Sequence, residues 1–145
     1  MRNARDVIRQ KGSRIFSVPP DASVLQALQL MAKENTGAVM IMTGDKVVGI
    51  LSERDCVRKL DLEGRDASST AVQAIMTPDV LYVEAGQSVE ECMALMIDKN
   101  IRHLPVYENN RLLGLISVRD VLKEVVDYQK FIIKQLEHYI AGSTR

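Results

Sequence analysis

Apolar and polar positions along this chain follow two rhythms, one helical and one alternating, and they do so in the same order twice. After Ser23, the residues Val24, Leu28 and Met31 recur at helical spacing; after Ser88, so do Val89, Met93 and Met96. Each predicted helix, "SVLQALQLMAKEN" and "SVEECMALMIDKN", opens on a capping box: Ser23 with Gln26, Ser88 with Glu91. A short apolar strand precedes each helix, "RIFSV" in one case and "VLYV" in the other. Two strands follow each helix. "AVMIM" and "KVVGIL" are joined by Thr43-Gly44-Asp45, and "HLPVY" and "RLLGLI" by Glu108-Asn109-Asn110. Gly and Asn supply the positive φ that hairpin turns need. A second helix is predicted at each Ser-x-x-Asp, Ser52 to Asp55 and Ser117 to Asp120. The order is β-α-β-β-α, twice.

The duplication is gapless between residues 18 and 60. At an offset of 65, Val18 falls on Val83, Leu30 on Leu95, Asn35 on Asn100, Gly49 on Gly114 and Asp55 on Asp120. A repeat of this kind marks one supersecondary unit per copy. One copy of about 45 residues buries too little apolar surface to stand alone. The expected fold is therefore α/β, with two pseudo-symmetric repeats packed through their sheets. Residues 1–60 form the first repeat with its N-terminal segment, 61–70 ("DLEGRDASST") a polar linker, 71–127 the second repeat, and 128–145 a C-terminal helical extension. The last helix is predicted to run from Val118 to Ile140, with Gly142 as its C-cap. Val121, Val125, Ile132, Leu136, Tyr139 and Ile140 lie near one face of it. Either they pack on the chain's own core, or, because the helix outruns its repeat, they meet the same helix of a second copy.

Composition removes several classes of function. Nineteen Lys and Arg balance nineteen Asp and Glu, so there is no broad electrostatic footprint for nucleic acid or anionic membrane. No apolar run approaches the roughly 18–20 residues of a membrane span. The arginine-rich start lacks the apolar stretch of a secretion signal, and a cytoplasmic protein is expected. Cys56 and Cys92 sit in helical patterns and read as buried thiols. His103 and His138 have no neighbours at metal-ligand spacing, so no metal is expected. No nucleophile–base pair or phosphate-binding glycine loop is present, and the chain does not read as an enzyme.

The repeated Gly–apolar–apolar–Ser–x–x–Asp supports two readings. It is a helix N-cap with an acid in the first turn. It is also a corner where outward-facing amides and a carboxylate could hold a polar ligand, the carboxylate accepting from the two vicinal hydroxyls of a ribose. Glycine there would let a flat ring approach the backbone. The doubled motif, the "IRHLPVYENNRLLGLISVRD" segment and "IMTPDVLYV" resemble the tandem cystathionine-β-synthase-type (CBS) domain pair, or Bateman module, over about residues 4–127. That resemblance implies a stand-alone regulatory module binding AMP, ADP or ATP, and in some members NAD(H) or S-adenosylmethionine, in clefts between repeats. It implies a homodimer and an unidentified protein target, with a scaffold carrying vestigial sites as the other possibility. Carried onto this chain, it assigns ribose contacts to Asp55 with Ser52 and to Asp120 with Ser117. Adenine contacts fall to Thr77, Val80 and His103 in one cleft, and to Ile15, Gly37 and Ala38 in the other. Phosphate contacts fall to Arg102, His103, Arg54 and Arg119. The arginines also read as solvated surface charges, and His103 as a hydrogen-bonded structural histidine. Because "TGAVMIM" lacks the basic pair and the proline of "IRHLPVY", the two sites are expected to be unequal.

Overall fold

The computed structural model describes residues 2–143; Met1, Thr144 and Arg145, at the ends of the predicted first repeat and helical extension, lie outside the described residues. It contains two three-stranded sheets. In the first, β1 (Ser17–Val18) runs parallel to β2 (Ala38–Thr43), which pairs antiparallel with β3 (Lys46–Ser52). In the second, β4 (Val83–Glu84), β5 (His103–Glu108) and β6 (Arg111–Ser117) repeat that arrangement. Each expected opening strand contracts to two paired residues. Between each sheet's first and second strands lies a helix, α2 (Val24–Glu34) or α4 (Val89–Lys99), and both predicted capping boxes form. Asn35 and Asn100 end these helices in the left-handed conformation, at φ 52° each. The hairpin tips carry positive φ at Gly44 and at Asn109 and Asn110, as their residue types require.

The buried stripe of each helix is turned slightly from the expected one. Val24, Ala27 and Met31 are buried in α2, and Val89, Cys92 and Met96 in α4, while Leu28 and Met93 are only half-buried. Small side chains at the centre of the stripe let each helix lie close on its sheet.

The larger departure is an exchange of leading segments. The N-terminal stretch forms α1 (Ala4–Lys11), capped by Asn3 and Asp6. It packs with the second repeat: residues up to Ser13 and those from Tyr82 onward make one compact unit, and Arg14–Leu81 make the other. Ala4, Val7 and Ile8 of α1 share a core with Val83, Val106 and Ile116. Likewise Val72 and Ile75, which follow the linker, complete the core around Val39, Ile41 and Leu51. Val7 and Val72 are one offset apart, so each repeat's core is closed by the segment that leads into the other repeat.

The motif glycines allow this closure. A Cβ on Gly49 would stand 2.3 Å from Met76 Sδ and 3.2 Å from the Thr77 carbonyl oxygen; a Cβ on Gly114 would stand 3.1 Å from Ile8 Cδ1. A bulge in β3 or β6 immediately precedes each glycine. The space expected to admit a flat ring over these glycines is thus taken by the chain's own crossing segments.

After Ser52 the chain forms α3 (Glu53–Cys56) and a π-helical turn over Val57–Asp61. After Ser117 it forms α5 (Val118–Ser143), which passes through Gly142 rather than being capped there. A single glycine costs a helix only about 1 kcal/mol, too little to end it. Val121 and Glu124 of α5 are buried, whereas every residue from Gln129 to Gly142 is exposed. The Glu124 carboxylate, 1% exposed, accepts from Arg2 Nη1 at 2.6 Å, and the Arg2 guanidinium also lies over the Tyr128 ring. Glu124 Oε2 has no hydrogen-bond partner among the described residues, so Arg2 offsets most of the cost of burying this charge. Arg2→Met should lower unfolding free energy by about 2 kcal/mol, below the usual 3–5 for a broken buried pair because Arg2 is partly exposed. Arg2→Met with Glu124→Leu should recover at least half of that in urea denaturation.

Candidate functional site

Each candidate site is a strand-to-helix corner. At the end of β6, the Asp120 amide donates to Ser117 Oγ at 3.1 Å and the Ser117 amide donates to Asp120 Oδ2 at 2.8 Å. At the end of β3 the same box joins Ser52 and Asp55, at 3.1 and 3.0 Å, and the Ser52 hydroxyl also donates to Asp55 Oδ2. The helix-capping reading of the motif is therefore correct for both copies. It uses Oδ2 of each aspartate.

The surroundings of the two carboxylates differ. Lys11, the last residue of α1, donates to Asp120 Oδ2 at 2.6 Å and to the Leu115 carbonyl oxygen at 2.8 Å. Asp120 Oδ1 accepts no hydrogen bond among the described residues. Burial alone would raise the Asp120 carboxyl, but Lys11 and the Ser117 amide and hydroxyl together hold it below its ordinary value. Among the described residues no such partner reaches Asp55 from another element; its Oδ1 is 3.5 Å from Lys59 Nζ, one helical turn away. One offset along from Lys11 stands Met76, which lies over Gly49.

The residues beside each aspartate are also exchanged in character. The Val118 amide donates to the Arg102 carbonyl oxygen at 2.9 Å, placing exposed Arg102 at the Asp120 corner. His103 pairs with Ser117 across the sheet, and Arg119 is exposed on the first turn of α5. At the other corner the Glu53 amide donates to the Gly37 carbonyl oxygen at 3.0 Å, and Glu53 Oε1 would be 3.5 Å from a Cβ on Gly37. Ala38 pairs with Ser52 and is buried, while Ile15 and Arg54 are exposed. Thr77 exchanges both backbone hydrogen bonds with Ile50. Thr77 and Val80 thus belong with Asp55 in the Arg14–Leu81 unit, whereas His103 belongs to the unit of Asp120. Ile15, Gly37 and Ala38 do share a unit with Ser52 and Asp55.

Lys11 and Glu53 were not anticipated. Their signal is in the repeat itself: Lys11 replaces the methionine of "IMT", and Glu53 stands where the second copy has Val118. Chemically, the Asp120 corner combines a carboxylate and an ammonium, with Arg102 and Arg119 exposed on the neighbouring strand end and helix turn. It suits a ligand with hydroxyls and a phosphate. The Asp55 corner adds a second carboxylate and no cation at the Arg102 position. Both thiols are buried. Burial first, then the carboxylates of Asp55 for Cys56 and Glu91 for Cys92, push each up to about 11. Among the described residues, no three His, Cys, Asp or Glu side chains gather as metal ligands, and no helix is long and apolar enough to cross a membrane.

Two sheets of one pattern, each ending in a capped Ser-x-x-Asp corner, define a tandem CBS pair. The CBS domain family model matches residues 4–62 and again 72–127, and the chain belongs to that family. The mitochondrial CBS domain-containing protein CBSX3 of Arabidopsis thaliana is 34% identical, over 94% of this chain and 71% of its own. A candidate signal-transduction protein with CBS domains from Burkholderia ambifaria MC40-6 is 40% identical with a TM-score of 0.82, covering 86% of this chain and 94% of that one. A CBS domain protein of Pyrobaculum aerophilum, complexed with AMP, shares the fold at 22% identity and a TM-score of 0.73, over 86% of this chain and 98% of its own.

The depressed Asp120 value has a testable consequence. A group whose folded value lies below its unfolded one, about 3.9 for aspartate, stabilises above that pH, and the contribution is lost as pH falls through the folded value. The stability gap between the parent chain and Asp120→Asn should be widest at neutral pH and close below about pH 4, measured by denaturant unfolding across pH.

Proposed function

We propose that this chain is a regulatory module that binds an adenine nucleotide, AMP, ADP or ATP, at the Asp120 corner. The observation that carries this reading is the arrangement around Asp120: Oδ2 engaged by the helix cap and Lys11, Oδ1 able to accept a ribose hydroxyl, and Arg102 and Arg119 close by for phosphate. The AMP complex of the Pyrobaculum relative supports the ligand class. The chain binds rather than catalyses. Lys11 passes from Asp120 to the phosphate when the nucleotide enters, because a dianion attracts an ammonium more strongly than one carboxylate does. Lys11 ends α1, and only Gly12 and Ser13 separate it from the Arg14–Leu81 unit. Ligand at Asp120 thereby acts on the chain entering the other unit, which is how the bound state differs from the empty one for a partner protein.

The Asp55 corner supports a second reading for itself. Glu53 beside Gly37, with Asp55, repels phosphate and favours an adenosine compound that carries positive charge, such as S-adenosylmethionine; NAD(H), with two phosphates, fits this corner less well. The module works as a homodimer in the cytoplasm. A scaffold with vestigial sites would show no thermal shift with any of these compounds.

Thermal melting with a ligand panel tests the reading, since a ligand at a hundredfold excess over Kd stabilises by about 2.7 kcal/mol. AMP should raise the melting temperature, and Asp120→Asn should weaken AMP by about tenfold or more, as loss of a charged acceptor does. Asp55→Asn should leave AMP binding unchanged, and deoxyadenosine monophosphate should bind more weakly than AMP. Lys11→Ala should weaken AMP and leave adenosine nearly unaffected, since adenosine has no phosphate for Lys11 to meet. Equal affinity for ribose and deoxyribose forms would remove the role given to Asp120.

A further inference from the structure

Beyond Gln129, α5 leaves the core of its unit, yet its sequence stays periodic. Leu122, Val126, Gln129, Ile133, Leu136 and Ile140 recur at alternating steps of four and three over about 27 Å of helix. All six are exposed, Ile133 and Leu136 each at 56%. In heptad terms Val126, Ile133 and Ile140 take position a, and Leu122, Gln129 and Leu136 take position d, the pattern of a left-handed coiled-coil seam. The seam is turned from the face that α5 presents to its own core, marked by Val121 and Glu124; half-buried Val125 lies at the boundary of the two. It needs another helix of the same period.

The flanks of the seam specify which helix, and in which direction. On one side lie Val125, Ile132 and Tyr139 at position g; on the other lie Lys123, Lys130 and Glu137 at position e. In a parallel pair each g position faces an e position of the partner, which would set Lys130 against Val125 and Glu137 against Ile132 of the second copy. In an antiparallel pair, g faces g and e faces e. Val125 then meets Tyr139 and Ile132 meets its own counterpart. Lys123 meets Glu137 at both ends, and one like-charge pair, Lys130 with Lys130, remains at the centre. We infer that α5 pairs with the α5 of a second copy as an antiparallel coiled coil centred near residue 131, with Val126 against Leu136 and Ile133 against Gln129. This rests on the homodimer reading and not on the nucleotide reading, so it gives the dimer a seam, a direction and a register.

Three measurements on the full chain test it. By light scattering after gel filtration, the parent chain should run at twice its 16.2 kDa mass, and Ile133→Asp, on a wholly exposed stretch, at half the parent value, still folded by far-UV circular dichroism and with a melting temperature that no longer depends on protein concentration. Lys123→Glu should raise the dimer dissociation constant several-fold, and Lys123→Glu with Glu137→Lys should restore it. Under mild oxidation, an equimolar mixture of Val126→Cys and Leu136→Cys chains should give the mixed disulfide, and neither variant alone should cross-link; the buried native cysteines make the parent chain the blank. A monomeric parent chain would overturn the homodimer reading and the inference together. A dimer in which each cysteine variant cross-links to itself, with no excess of mixed product, would overturn the antiparallel register alone.

Discussion

Asp120 Oδ2 accepts from the Ser117 amide at 2.8 Å and from Lys11 at 2.6 Å, and this shared oxygen ties three separate parts of the structure together. The amide bond starts α5 at the end of β6. The ammonium bond anchors the far end of α1, which belongs by sequence to the other repeat. Both leave Oδ1 in position for a ligand, because the carboxylate is already held in orientation. A charge-assisted acceptor fixed before binding loses little freedom when the ligand arrives. The capping and ligand-holding readings of the motif are therefore compatible: the cap uses one oxygen, and the proposed ligand would use the other.

The exchange of leading segments explains why the two corners diverge while the sheets stay alike. The sheets, turns and capping boxes must satisfy the same backbone geometry in both copies. The crossing segments, α1 over Gly114 and Met76–Thr77 over Gly49, need only be compatible with a glycine beneath them. A lysine can then stand at one crossing and a methionine at the other without disturbing the fold. Glu53 in place of Val118 and Gly37 in place of Arg102 extend the same divergence, giving the Asp55 corner a second carboxylate and a glycine where the Asp120 corner has an arginine.

Features set by neighbours in sequence were legible beforehand. Ser23 with Gln26 and Ser88 with Glu91 cap their helices because the partners are three residues apart, and Gly44, Asn109 and Asn110 adopt the turn conformations their side chains tolerate. Features set by distant partners were not. Ile8 meets Gly114 and Lys11 meets Asp120 across more than a hundred residues, and no local pattern in an arginine-rich start announces that crossing. The direction in which Thr77 pairs, toward Ile50 and not toward His103's unit, is likewise a long-range outcome. Gly142 misled for the opposite reason: its local preference is real but small beside the continuing helix.

Where a nucleotide lands decides the role of Asp120. Titrating AMP into the isotopically labelled chain and following its amide resonances would place it directly. Saturable shifts concentrated at residues 117–120, with the Lys11 side-chain signal moving at the same midpoint, are the predicted result. Saturable binding that leaves those resonances unmoved would contradict it.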